Sequence, residues 1–253
     1  MIRLEDVVVA YDERVILDKV NLTINDGETL AVLGGSGAGK STILKLIIGL
    51  QRPNAGHIWV DDVDITTLTE DEFNRVRQKM GMVFQYSALF DSMSVGENVA
   101  FGLRQHTDAS EADIQAAVKE KLALVGLPGT EAYMPNELSG GMKKRISLAR
   151  AIAQNPTIVL YDEPTSGLDP ITSGTISRLI RSMQAHLHCT SIVVTHDMES
   201  AFYVADRVAL LHQGYFVEVA PTEEFKQSKN PLVQQFIHGL DMVTEEDVGG
   251  FVK

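Results

Sequence analysis

The sequence is poor in three things, and each absence excludes something. It has one cysteine, Cys189, in 253 residues, so no internal disulfide can form. Cys189 reads as a small buried hydrophobe beside the run 191–195, in a reducing compartment. It has no long apolar stretch. LKLIIGL, residues 44–50, is the best, and it is too short to span a bilayer and holds Lys45. Basic residues are also few: 22 Lys and Arg against 34 Asp and Glu leave a formal charge of −12. Duplex binding rests on cations that neutralise phosphates, so nucleic acid is excluded as a partner and any bound anion must be held locally. Repeats and low-complexity segments are absent, and the opening MIRLEDVVVAYDER carries early charges rather than the apolar core of a signal or transit peptide.

What is present is an ordinary globular composition, 44% hydrophobic, at a length that suits one large domain with an inserted lobe. LEDVVVAY, VNLTI and GHIWVDD read as half-buried strands separated by Asn25-Asp26-Gly27 and Pro53-Asn54-Ala55-Gly56, predicting an antiparallel layer. TLAVLG, TIVLYDE and SIVVTHD are continuous apolar runs, the pattern of parallel strands covered on both faces. From Gln85 to about Pro156 the period turns helical. Ser110-Glu111-Ala112-Asp113 reads as a capping box, followed by Ile114, Val118, Leu122 and Val125 up to Gly126. Further helices are predicted from Thr222 and from Asn230-Pro231, the last with Leu232, Phe236 and Leu240 on one face, before an acidic tail read as mobile. The expected organisation is a single domain over 1–253: an α/β core from 1–86 and 157–220, a helical lobe at 87–156, and C-terminal helices and tail at 221–253.

GGSGAGKST, Gly34 to Thr42, lies between an apolar strand and a helix, the context a phosphate-binding loop requires. A chain without Cβ atoms at Gly34, Gly35, Gly37 and Gly39, with small Ser36 and Ala38 between, can turn its N–H groups inward around phosphate oxygens. Lys40 adds a mobile cation, and Ser41, before Thr42, offers a hydroxyl to Mg²⁺. A glycine-rich turn without function would not need the complete pattern. Asp162-Glu163 ends another apolar run, placing two carboxylates at the ligand-binding edge of a parallel sheet: Asp162 suits a metal and its waters, Glu163 a general base. Taken alone, that pair reads equally well as an exposed acidic turn before Pro164. His196 and Gln85 end strands expected at the same edge, and Tyr11 can stack on a base or pack on the antiparallel layer.

Ser139-Gly140-Gly141 opens a helix as a second potential anion site, or as an ordinary N-cap. Lys143, Lys144 and Arg145 crowd that helix start against its dipole, at a cost of about 0.3–1 kcal/mol each unless a negative group or partner compensates.

Tyr11, GGSGAGKST, Gln85, LSGGM, IVLYDE, SGLD from Ser166 to Asp169, and His196, in this order and spacing, resemble the nucleotide-binding subunit of ABC transporters over nearly the whole chain. The resemblance implies a P-loop NTPase core of ABC type with an N-terminal antiparallel layer and an inserted helical lobe. It implies two subunits head to tail with ATP between the phosphate loop of one and the signature turn of the other. Tyr11 would then stack on adenine, Gly34 to Thr42 wrap the phosphates, and Ser41, Gln85 and Asp162 hold Mg²⁺. Glu163 would activate water and His196 contact the γ-phosphate. Ser139, Gly140 and Gly141 would close on the partner's γ-phosphate, and Asp169 would link the two sites.

LSGGM-KKR stands where LSGGQ-QQR is more usual, and TSGLD where TSALD is; Met142 lacks the amide of glutamine. Together with GMVFQYSALFDSMSVGENVAFGL, the signature is similar to that of the ATPases of Mla and related MCE-type systems, which move phospholipids or other apolar molecules between membranes. That resemblance implies peripheral attachment at the cytoplasmic face of the inner membrane. The implied partners are a permease seated against Tyr86, Leu89, Phe90 and Met93, an MCE lipid-binding protein and a small regulatory subunit. A polar-solute importer or a cell-division ATPase of the same superfamily is the alternative. A phosphotransferase would share the phosphate loop but have no use for Ser139-Gly140-Gly141. An ATPase acting on ribosomes or DNA would present two modules and a basic surface.

Overall fold

The computed structural model describes residues 1–12 and 14–240. Strands β1 (Ile2–Tyr11) and β2 (Arg14–Ile24) pair antiparallel and begin one layer. In β1 the buried side chains run Ile2, Leu4, then Val7 and Val9, a shift of one in the alternation. A bulge makes the shift: Asp6 takes φ 47° between the pairs Leu4–Leu22 and Val7–Val20, and the Asn21 amide donates to the Asp6 carboxylate at 2.9 Å. The extra residue returns the apolar set to the core face, where a regular strand would have turned it to solvent.

β3 (Thr29–Leu33) leads through Gly34–Gly39 into α1 (Lys40–Ile47). β4 (Ala55–Val60) and the short β5 (Val63–Asp64) complete the antiparallel sheet in the order β2-β1-β4-β5. Gly56 sits at φ +86° against the bulge, where a Cβ would run into the backbone of Glu5 and Asp6. α2 (Glu70–Arg77) follows, with a complete capping box between Thr69 and Glu72, and then β6 (Met80–Val83). Gln85 therefore lies two residues beyond its strand rather than closing it, which frees its backbone for other contacts.

The helical segment contains α3 (Val95–His106), α4 (Glu111–Leu124) and α5 (Gly140–Ala151), packed around Val99, Val118, Leu122 and Ile146. Ile114, Val118, Leu122 and Val125 are all buried, as their spacing predicts. Ser110 is the N-cap of α4, but the expected capping box is only half made. Asp113 is one methylene shorter than Glu, and its carboxylate accepts from the Ser110 hydroxyl at 2.6 Å instead of reaching the Ser110 N–H.

β7 (Ile158–Asp162), α6 (Pro170–Leu187), β8 (Thr190–Thr195), α7 (Met198–Val204), β9 (Arg207–His212) and β10 (Tyr215–Pro221) complete the second sheet, in the order β10-β9-β3-β8-β7-β6 among the described residues. β6, β7, β8, β3 and β9 are parallel, and the central three are buried on both faces. Cys189 is buried just before β8. α8 (Thr222–Lys226) and α9 (Pro231–Ile237) start where predicted. The face of α9 is different: Val233, Phe236 and Ile237 pack inward, while Leu240 lies past the helix end, exposed. The helix is too short to carry the expected stripe to Leu240. The acidic tail lies outside the described residues. Among them, no helix is long and apolar enough to cross a membrane.

Candidate nucleotide site

Parallel register brings four strand ends to one edge. Leu33 pairs with Thr195 and with Leu210, Asp162 with Val194, and Val83 with Tyr161. The segments after β3, β6, β7 and β8 therefore emerge side by side, where open α/β sheets bind ligands. A cavity of about 640 Å³ opens there, lined by Ser36 to Thr42 with Tyr11, Gln85, Glu163 and His196.

The loop at Gly34 is held close to the sheet, since a Cβ there would meet the Leu211 carbonyl oxygen. Lys40 is buried at the start of α1, and its ammonium donates to the carbonyls of Gly34 at 2.8 Å and Gly35 at 3.0 Å. Its Nζ lies 3.8 Å from Glu163 Oε1. Burial pulls the Lys40 pKa down, and the charges of Glu163 and Asp162 oppose that shift. Ser41 donates to Asp162 Oδ1 at 2.8 Å, so a hydroxyl and a carboxylate stand together as hard oxygen donors, a set that suits Mg²⁺. The Gln85 amide is not bonded to that pair; its Nε2 donates to Ser166 Oγ at 3.5 Å.

Glu163 adopts φ 46°, a left-handed turn that ends β7. Adjacent residues of an extended strand face opposite ways. Because the strand stops here, Asp162 reaches the phosphate loop through Ser41, and Glu163 reaches it through Lys40. Glu163 is buried; its Oε2 lies 2.9 Å from His196 Nδ1 and accepts from the Thr195 hydroxyl at 3.2 Å. His196 itself is largely exposed. Thr195 was not singled out by the sequence, and neither was Asp197. Asp197 caps α7 by accepting from the N–H groups of Glu199 and Ser200, and it accepts from the Thr165 hydroxyl at 3.3 Å. An Asp directly after a strand and before a helical run is a legible N-cap signal.

Tyr11 lines the cavity, half exposed, with its hydroxyl donating to Gln51 Oε1 at 2.7 Å. Ser139, Gly140 and Gly141 do not line it. Ser139 is the exposed N-cap of α5, accepting from the Met142 N–H at 3.3 Å. Asp169 does not line the cavity either: its carboxylate caps α6 through the N–H groups of Ile171 and Thr172. The Thr172 hydroxyl, bonded to that carboxylate, holds the Asp169 pKa below the usual carboxylate range.

The basic cluster after the glycines differs from expectation. Two of its three cations are compensated inside the chain, by carbonyls rather than by an anion. Lys144 is buried and donates to the Gln85 and Glu163 carbonyls. Arg145 donates to the carbonyls of Val125 and Gly126 at the end of α4, where a helix dipole favours a cation. Burial lowers the Lys144 pKa, against the charges of Glu163 and Asp162.

On the far side of the 84–90 segment, a second groove of about 520 Å³ is lined by Ile48, Met82, Phe84, Phe90, Phe101 and Arg150, among others. Of the residues expected at a permease groove, Phe90 lines it, Tyr86 is 87% exposed beside it, and Leu89 packs on the core of the helical segment.

Residues 17–166 match the ABC transporter family. The chain is 45% identical over 224 residues to the probable ribonucleotide transport ATP-binding protein mkl of Mycobacterium tuberculosis, covering 88% of this chain but only 62% of that protein's length. It is 42% identical over 239 residues to the intermembrane phospholipid transport system ATP-binding protein MlaF of Haemophilus influenzae, covering 94% of this chain and 90% of that one. Its fold matches the dimeric, post-hydrolysis structure of the ATP-binding cassette MJ0796 bound to ADP and Pi, with a TM-score of 0.80 at 33% identity over 88% of this chain and 99% of that one. The chain belongs to the ABC transporter family.

Proposed function

We propose that this chain powers a membrane transporter that moves phospholipid or another apolar molecule between membranes. The observation that carries the reading is the likeness to MlaF over nearly the full length of both proteins. Met142 and the 81–103 segment, which carry the lipid-transport resemblance in the sequence, agree with it. The mycobacterial relative, named for ribonucleotide transport, supports a second reading, transport of a polar solute, although this chain spans under two thirds of that protein.

In this reading residues 34–42 bind the phosphates of ATP through backbone N–H groups, Lys40 neutralises charge at the transferred phosphoryl group, and Tyr11 stacks on the base. Ser41, Gln85 and Asp162 are the residues that would hold Mg²⁺, which when bound supplies charge neutralisation between the phosphates. Glu163 takes the proton of the attacking water, and His196 and Thr195, both within hydrogen-bond reach of its Oε2, fix the carboxylate while it does so. The Ser139 turn completes the site of a second copy, and Asp169 positions the segment between the two sites. The nucleotide core is residues 1–86 and 157–220, the signature lobe 87–156, and the C-terminal part 221–253. Two copies work on the cytoplasmic face of the inner membrane, with a permease in the Phe84–Phe90 groove, an MCE lipid-binding protein and a small regulatory subunit.

The test is mass spectrometry of proteins and lipids recovered with tagged Glu163→Gln chain, extracted gently from native membranes in ATP. A permease, an MCE protein and phospholipid are expected. A permease recovered with a soluble solute-binding protein would discard the lipid assignment.

A further inference from the structure

Lys144 stands in α5, the helix whose N-cap is Ser139, and it is 5% exposed. Burying an ammonium is costly unless its donors are used. Here they go to the carbonyl oxygens of Gln85, at 2.5 Å, and Glu163, at 3.2 Å. Both are backbone atoms of residues whose side chains line the nucleotide cavity. A single side chain of the signature helix thus ties together two segments 78 residues apart in sequence, each at the residue assigned a chemical role. Bonds from a cation are roughly twice as strong as neutral ones, so Lys at this position grips both carbonyls more firmly than the more usual Gln.

A second contact on the same helix points the same way. Arg150 donates to the carbonyls of Ser87 at 3.0 Å and Ala88 at 2.6 Å, residues held at φ 63° and 47°. The 85–88 segment is therefore pinned to α5 at both ends, and Lys144 extends the attachment to Glu163.

We propose that Lys144 is a positioning residue: it keeps Gln85 and Glu163 of one subunit in register with the helix whose first turn grips the nucleotide of the other. The inference rests on the roles assigned above to Glu163, Gln85 and Ser139. It makes α5 a rigid link between the two ATP sites, with the carbonyl bonds as its attachment to its own subunit's hydrolytic residues.

The test is single-turnover hydrolysis of ATP by the full chain carrying Lys144→Met, Lys144→Arg or Lys144→Gln. It is paired with titration of a fluorescent ATP analogue and with thermal unfolding, and Glu163→Gln is run in parallel. Lys144→Met is expected to lower the hydrolysis rate on the order of 10- to 100-fold, the cost of misplacing reacting groups, with analogue affinity unchanged. Lys144→Arg should restore most of the rate, and Lys144→Gln should fall between. A wild-type rate in Lys144→Met overturns the proposal, as does an equal loss in the Arg variant accompanied by lost analogue binding and a lower unfolding temperature. If Lys144→Met does not fold, Lys144→Gln carries the test, and a wild-type rate there overturns the proposal too. Normal turnover by Glu163→Gln would instead remove the site assignment on which the inference rests.

Discussion

Glu163 carries the chemistry in this account, and its surroundings explain how. Its carboxylate is buried between the Lys40 ammonium, the Thr195 hydroxyl and His196 Nδ1, and its own N–H donates to the Val194 carbonyl at 2.9 Å. A non-glycine residue at φ 46° is strained by about 1–2 kcal/mol, and the surrounding bonds maintain it. Glu163→Gln keeps the shape and removes the base. Hydrolysis is expected to fall by on the order of 10² to 10⁴ while ATP binding persists, read by phosphate release alongside nucleotide titration. The meeting of Lys40, Ser41 and Asp162 at one sheet edge was legible because they sit in continuous motifs beside their strands. The contact between Glu163 and His196 was not, because 33 residues separate them and only the β7–β8 register brings them together. Lys144 was misread for a related reason. A cation near a helix start suggests an anion, and the sequence gives no sign that a long side chain turns back to carbonyls of two other segments.

Among the elements, the connection between β6 and α3 has the largest consequences. It carries Gln85 on the nucleotide side and Phe84 and Phe90 on the other. Its far end is fixed by Asn98, which is fully buried in α3. The Asn98 Oδ1 accepts from the Phe90 N–H at 2.8 Å, and its Nδ2 donates to the carbonyls of Phe90, Met93 and Ser94. Every polar atom of the amide is used, so the loop is held without a regular element of its own. Asn98→Ala leaves the Phe90 N–H without its partner. It should cost about 2–3 kcal/mol, since buried polar groups left unpaired pay their full desolvation. Thermal unfolding would register that as a midpoint lower by about 5 °C or more. An unchanged midpoint would mean that the loop is held by other contacts. The strands and amphipathic α4 were legible from periodicity. β9 and β10 were not singled out, since β9 is an ordinary apolar run and β10 half-buried throughout, with no chemistry-bearing motif to mark either.

At the scale of the molecule, the proposed function makes one chain half of two sites. The phosphate loop, Gln85, Glu163 and His196 line one cavity, and the Ser139 turn faces elsewhere with its N-cap exposed. In the proposed function a head-to-tail pair related by a two-fold axis would complete both sites with the same surfaces, and two ATP molecules would then lie between the copies. In that arrangement nucleotide would fill the interface, so its sequence traces are the glycine turn at 139–141 and Asp169 rather than an apolar pattern. The account is tested most directly by sedimentation velocity of Glu163→Gln with and without ATP and Mg²⁺, compared with Glu163→Gln carrying Ser139→Arg. The expected result is a dimer for Glu163→Gln only with ATP, and a monomer that still binds ATP for the double variant. If Glu163→Gln stays monomeric in ATP, or if the Ser139→Arg chain dimerises equally well, the shared-site account is contradicted.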